Sequence, residues 1–202
     1  PPPAPAGLAR LRPRGNGWTR LDLRRVLIVT AWQDAAAADR HEARARFPHA
    51  TEHWRARLRP VFATGAIRGV NPFGELRATR GTGNEPGLVL TWAEVPPRHQ
   101  PRFARDSFRA VRTQHAHPGL RASFAAAHLR LGMFRGFTVS CWRDLGAMVD
   151  WAYRDGAHRA AMTWIESRPG VRSRAWFGRF VVERSEGTLA GRDPFASLLP
   201  ET

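Results

Sequence analysis

Lysine is absent from this chain of 202 residues, so all 32 basic residues are arginine, set against 17 acidic ones for a net charge of +15. The arginines are scattered through the expected helices and strands rather than gathered in a stripe. That argues against a nucleic-acid binder, which concentrates its cations along a phosphate track. Cysteine is nearly absent. Cys141 alone excludes an internal disulfide framework and fits a reducing cytoplasm. No apolar run reaches the roughly 18 residues of a membrane-spanning helix, and no charged segment leads into a short apolar one as in a secretion signal. Walker, dinucleotide and Gly-x-Ser-x-Gly fingerprints are missing. Gly81-Thr-Gly83 is a poor phosphate loop, because no helix follows it and Pro86 interrupts.

What is present can build a core: 43% of the residues are apolar, with eight Trp and eleven Phe. Residues 1–7, rich in proline, read as a flexible lead-in. A short edge strand is expected over 8–14, a turn at Gly15-Asn-Gly17, and a buried strand over 25–32 from its β-branched run. Asp34 stands at the N-cap of a helix expected to reach about Arg59, with a break at Phe47-Pro48. Another strand is expected over 66–73. Residues 77–86 form a linker loop between a first half (8–76) and a second (87–186), with a tail over 187–202.

The second half reads strand 87–95, helix 101–115, strand 120–128, a hairpin at Gly132, strand 133–142, a long helix, and a closing strand near 174–184. That order is β-α-β-β-α-β, the ferredoxin-like unit. The first half holds a faded copy. Val26-Leu-Ile-Val-Thr-Ala-Trp32-Gln-Asp34 stands opposite Phe137-Thr-Val-Ser-Cys-Trp142-Arg-Asp144, each a strand, a tryptophan, a capping aspartate and a helix. The expected fold is α+β: tandem ferredoxin-like repeats in a dimeric-α/β-barrel-like arrangement, helices outside antiparallel sheets. The first half shows only the last four elements of the unit. A missing opening strand and helix would leave a sheet edge for a second copy to cover as a homodimer.

Several stretches together resemble the spheroidene monooxygenase family: Arg14-Gly-Asn-Gly-Trp18, Asn71-Pro-Phe-Gly74, Phe137-Thr-Val-Ser-Cys-Trp142, Ala152-Tyr-Arg-Asp-Gly-Ala-His158-Arg-Ala-Ala-Met162 and Gly187-Thr-Leu-Ala-Gly-Arg-Asp-Pro-Phe195. The resemblance implies the fold of the dimeric α/β-barrel monooxygenases and a haem-dependent, oxygen-using activity on a hydrophobic or secondary-metabolite substrate. A separate electron donor is expected, since no flavin or nicotinamide site is visible.

On that resemblance His158 is the candidate iron ligand. Along a continuous helix it falls beside Trp151 and Met162, opposite the apolar stripe of Leu145, Met148, Val149 and Ala152. A neutral imidazole is a common axial ligand of haem. Arg159, and after it Arg154, could pair with a haem carboxylate, while Trp151, Met162, Trp142, Trp176 and Phe177 could wall the pocket. His49 is the reserve ligand, at nearly the same distance after Trp32 as His158 lies after Trp142. Cys141 reads as a small buried thiol rather than a thiolate ligand, and His115-Ala-His117 as two exposed turn histidines without a third ligand. The residues leave alternatives open: a cofactor-free barrel monooxygenase or cyclase, a haem-dependent dehydratase or nitrogen-chemistry enzyme, or a non-enzymatic module binding haem or another small ligand.

Overall fold

The computed structural model describes residues 9–14, 17–44, 48–74, 76, 83–130 and 133–199. The lead-in over 1–7, the turn residues 15–16, most of the linker loop (77–82) and the Gly132 hairpin lie outside the described residues.

The centre of the fold is β4 (Gly87–Val95), buried on both faces along nearly its whole length. It is stopped at Pro96-Pro97, where a missing N–H and a fixed φ end strand pairing. Around it stand α2 (Gln100–Ala116), β5 (Leu120–Arg130), β6 (Met133–Trp142), α3 (Leu145–Arg154), α4 (Gly156–Glu166), the short α5 (Pro169–Arg172) and β7 (Ala175–Gly187). The strands order as β5-β6-β4-β7 with antiparallel neighbours, the ferredoxin-like arrangement expected from the sequence.

The first half adds β1 (Ala9–Arg14), β2 (Gly17–Val26), α1 (Ala35–Arg44) and β3 (Trp54–Gly65). Its strands extend the same sheet at both ends: β1 pairs with β5, and β3 with β7, giving β2-β1-β5-β6-β4-β7-β3. The two halves thus share one seven-stranded sheet in an α+β fold.

Three local expectations change. The helix expected to run to Arg59 ends at Arg44, and Trp54–Gly65 is a strand. Arg55, Arg57 and Arg59 alternate there with Ala56 and Leu58, and this period of two prevails once β7 offers a partner. The buried strand expected over 25–32 is instead the end of β2 followed by unpaired chain, with Val26, Ile28 and Val29 exposed at 65%, 43% and 42%. Residues 66–73 form turns rather than a strand: Ile67 and Val70 exchange backbone hydrogen bonds of 2.8 and 3.1 Å across a two-residue turn, and the Gly74 amide donates to the Asn71 carbonyl at 3.2 Å in the next. Arg68 and Gly69 both take positive φ there, as a type I′ turn requires.

The sheet carries a different core on each face. Val89, Trp142, Leu145, Ala147, Met148 and Val181 pack on the helix side. Leu88, Leu90, Trp92, Phe124, Val139, Cys141, Trp176 and Phe180 pack on the other. Gly178 makes room on that second face, since a Cβ there would lie 2.6 Å from the Trp176 ring and 2.8 Å from that of Phe180. Residues 188–199, beyond β7, pack back on the sheet. Phe195 is fully buried in the second core, with Leu189, Leu198 and Leu199 beside it. Asp193 fixes this segment by accepting from Ser185 Oγ (2.6 Å) and the Phe195 amide (2.9 Å).

Candidate functional site

The long helix expected to carry His158 is two helices. Asp155 leaves the helical region at φ −73°, ψ 116°, and its carboxylate accepts from the His158 amide at 2.6 Å, so the residue that ends α3 also caps α4. The break folds His158 back onto α3. Its ring lies 4.5 Å from that of Trp151, and its Nδ1 is 3.0 Å from the Ala152 carbonyl oxygen. A carbonyl only accepts, so Nδ1 carries the proton, and Nε2 keeps its lone pair with no hydrogen bond among the described residues. Burial depresses the imidazole's pKa below its ordinary 6.5, outweighing the Ala152 carbonyl and Asp155, which raise it. The lowered pKa and the commitment of Nδ1 favour the neutral imidazole, whose Nε2 lone pair can bind a metal.

Trp151 is held in turn. Its Nε1 donates to Thr113 Oγ1 at 3.3 Å, and its ring lies 5.6 Å from the fully buried Trp142, whose Nε1 donates to Ser140 Oγ at 2.9 Å. His117 continues the ladder, 5.5 Å from Trp142, with Nε2 3.7 Å from the Asp150 carboxylate. The pair His115 and His117 is therefore not two exposed turn residues: His115 is exposed and His117 is tucked under α3.

The remaining nominated residues divide. Phe177 is on the helix side with Trp151, while Trp176 belongs to the opposite core. Met162 is 39% exposed, one turn beyond His158. Arg154 is exposed and pairs with Asp150 at 2.7 Å. Arg159 is exposed on α4, and His49 is exposed between α1 and β3. Cys141 is fully buried, and burial, with Asp193 nearby, pushes its thiol far above the usual range, so it offers no thiolate.

Two residues gain significance only from the fold. On β7 the Arg179 guanidinium lies on the helix side, 4.4 Å from the Phe62 ring and 5.8 Å from that of Phe177. No described carboxylate pairs with it, its Nε has no hydrogen-bond partner, and burial lowers its pKa. On the opposite face Asn71 Oδ1 accepts from Trp176 Nε1 (3.0 Å) and the Phe73 amide (3.3 Å), leaving a buried Nδ2 without a partner. The sequence flagged Asn71 only as part of Asn71-Pro-Phe-Gly74 and gave Arg179 no signal, since one arginine among 32 looks like any other. Among the described residues no three His, Cys, Asp or Glu side chains gather to cage a bare metal ion, and no helix is long and apolar enough to cross a membrane.

No family model matches the chain. It is 28% identical over 199 residues to a spheroidene monooxygenase from Rhodobacter capsulatus, covering 93% of this chain and 79% of that protein. Among solved structures it is similar to the heme-degrading enzyme LmHde from Listeria monocytogenes (TM-score 0.43, 14% identity, 73% of this chain and 93% of that one). It is also similar to an anthrone oxidase-like protein (0.38, 18%, 77% and 70%). A third is a ferredoxin-fold protein from Listeria monocytogenes related to antibiotic biosynthesis monooxygenases (0.45, 12%, 74% and 89%). The resemblance carried by the sequence motifs thus extends along almost the whole chain: it is similar in sequence to a spheroidene monooxygenase and is built on a ferredoxin-like α+β sheet.

Proposed function

We propose that this chain is an oxidoreductase of monooxygenase type, acting on an apolar substrate, with a haem held on the helix side of the sheet by His158. The observation that carries the reading is the state of His158, neutral, with Nδ1 committed to the Ala152 carbonyl and the Nε2 lone pair unengaged. Trp151 supports the imidazole. On the same helix side of the sheet Phe62 and Phe177 supply aromatic surface, and Arg179 is a half-buried cation without a described carboxylate, suited to a haem carboxylate.

Haem, when bound, supplies an iron that activates a small oxidant. The chain does the rest. Asp155 and Ala152 fix the position and tautomer of the imidazole. Trp151, tied to Thr113, keeps the ring from turning, and the aromatic surface on the same side of the sheet favours an apolar substrate. Electrons for oxygenation would come from an external donor, because the chain carries no flavin or nicotinamide fingerprint.

The test is an absorption spectrum of the protein purified after haem supplementation, beside His158→Ala and Arg179→Gln. A Soret band lost or shifted in His158→Ala, and hemin affinity lowered about tenfold in Arg179→Gln, are the expected results. A band unchanged in His158→Ala rejects this ligand. A colourless parent that binds no hemin rejects the reading.

A second reading rests on Asn71. Its unpaired Nδ2 belongs to a residue packed with Trp176 and Phe73, where a donor can hold a substrate's carbonyl or phenolic oxygen. This is the cofactor-free enzyme. Turnover by the colourless protein, abolished in Asn71→Ala and retained in His158→Ala, would establish it over the haem reading.

A further inference from the structure

The arginines of the sheet edge and those lining the groove between α2 and α4 have different surroundings. Where β3 meets β7, Arg55 pairs with Glu186, Arg57 with Asp39, and Arg59 with Glu183 at 3.0 Å. Between α2 and α4 lies a groove of about 610 Å³ whose lining includes Arg102, Arg159, Arg168, Thr163 and Ser167 and no carboxylate. Arg102 reaches Asp106 at 3.4 Å outside the lining, and its guanidinium lies over the buried Trp164 ring at 5.4 Å. Among the described residues Arg168 donates to the Ser167 carbonyl at 3.3 Å and meets no carboxylate, and no described carboxylate pairs with Arg159.

We infer that this groove is a binding site for a phosphate-bearing small molecule, a diphosphate or phosphate ester, held by Arg102, Arg159 and Arg168. Three guanidiniums around one concavity repel one another, and a doubly charged oxyanion offsets that repulsion for all three at once. Arginine's planar fork pairs with two phosphate oxygens, a geometry lysine cannot reproduce. Thr163 adds a hydroxyl at the same wall. The groove falls within the size range of small-molecule sites, and it is concave and local, whereas a nucleic-acid track needs a continuous basic stripe.

The groove is separate from the candidate haem site. Gly156, Arg159, Ala160 and Thr163 all line it and share one side of α4. At 3.6 residues per turn, His158 stands about 200° round the helix from Gly156, turned back onto Trp151. The inference is therefore independent of the haem reading and tested without it.

The probe is inorganic pyrophosphate, titrated calorimetrically into the full chain with ionic strength held constant by sodium chloride. Saturable binding at one site is expected, weakened roughly tenfold or more in the double variant R159Q/R168Q, since charge-assisted hydrogen bonds are lost. R112Q, an exposed α2 arginine outside the lining, should bind like the parent. R159Q alone, at an exposed position, serves if the double variant melts early by circular dichroism, and should weaken binding severalfold. Absence of saturation overturns the inference. So does an equal loss in R112Q, or binding of heparin with none of pyrophosphate, because either would reduce the groove to part of the general positive field.

Discussion

The stretches 26–34 and 137–144 carry one pattern, an apolar run, a tryptophan and a capping aspartate, and the fold uses them differently. The helix start is the same in both. Asp34 accepts from the Ala37 amide at 2.7 Å, and Asp144 from the Ala147 amide at 2.6 Å. The apolar runs diverge. Phe137-Thr-Val-Ser-Cys-Trp142 lies in β6 between β4 and β5, with Val139, Cys141 and Trp142 at or near zero exposure. After Val26 the first run has no strand partner, and Ile28 and Val29 face outward. A cap needs only residues within one turn, so it forms wherever its sequence occurs. A strand needs neighbours on its edges, and the sequence of the strand does not contain them.

The comparison can be broken most severely at the tryptophans. Trp142→Ala should cost about 3–5 kcal/mol in urea unfolding, as expected for emptying a buried aromatic site. Trp32→Ala should cost a small fraction of that, because Trp32 is only partly buried and its ring contact is with His41. Equal losses would mean that the first copy is as well packed as the second.

The caps should be nearer to parity. Asp144→Ala and Asp34→Ala should each cost about 1 kcal/mol, with Asp144 the larger because Arg143 also pairs with it at 2.7 Å. Burial tends to raise the Asp144 pKa, but the Ala147 amide and Arg143 hold it below its ordinary 3.8. Its contribution is therefore present above pH 3.8 and lost as the pH falls through the depressed value. Asp144→Asn should remove that acid-side loss in a series of melts across pH.

A finer distinction concerns the two histidine–tryptophan contacts, His158 on Trp151 and His41 on Trp32. The half-buried His158 resists protonation, and the unfolded chain takes up its proton near pH 6.5. Stability should be full above 6.5 and fall as the pH drops below it towards the depressed value. The parent's melting temperature should fall more steeply with acid than that of His158→Gln. His115, exposed but partly desolvated at the end of α2 and so also held below its ordinary value, contributes with the same sign in both proteins and cancels. The smallest effect is reserved for Ile28→Ala, at about 0.5 kcal/mol or less, as for other exposed sites.

Much of the second half was legible from the residues. β4, α2, β5, β6 and β7 follow from alternation, periodicity and Pro or Gly boundaries, whereas the contact between His158 and Trp151 comes from the break at Asp155 rather than from the phase of one continuous helix. The break at Asp155 was not legible as a break, because an Asp-Gly pair inside a helical pattern reads equally as a kink. β3 was misread because alternating Arg and Ala also suit a helix, and only pairing with β7 decides between them. Arg179 lay beyond reach altogether, since Phe62 and Phe177 frame it only when β3 and β7 are side by side.

The sequence by itself determined what depends on near neighbours. The two Asp caps, the strand stop at Pro96-Pro97, the single cysteine and the charge of +15 are fixed before any folding. The tertiary structure decided which apolar runs become buried strands, which arginines find carboxylates, and which side chains share a face of the sheet. Those outcomes depend on contacts between residues far apart in the chain, and their energies exist only once the sheet has brought the partners together.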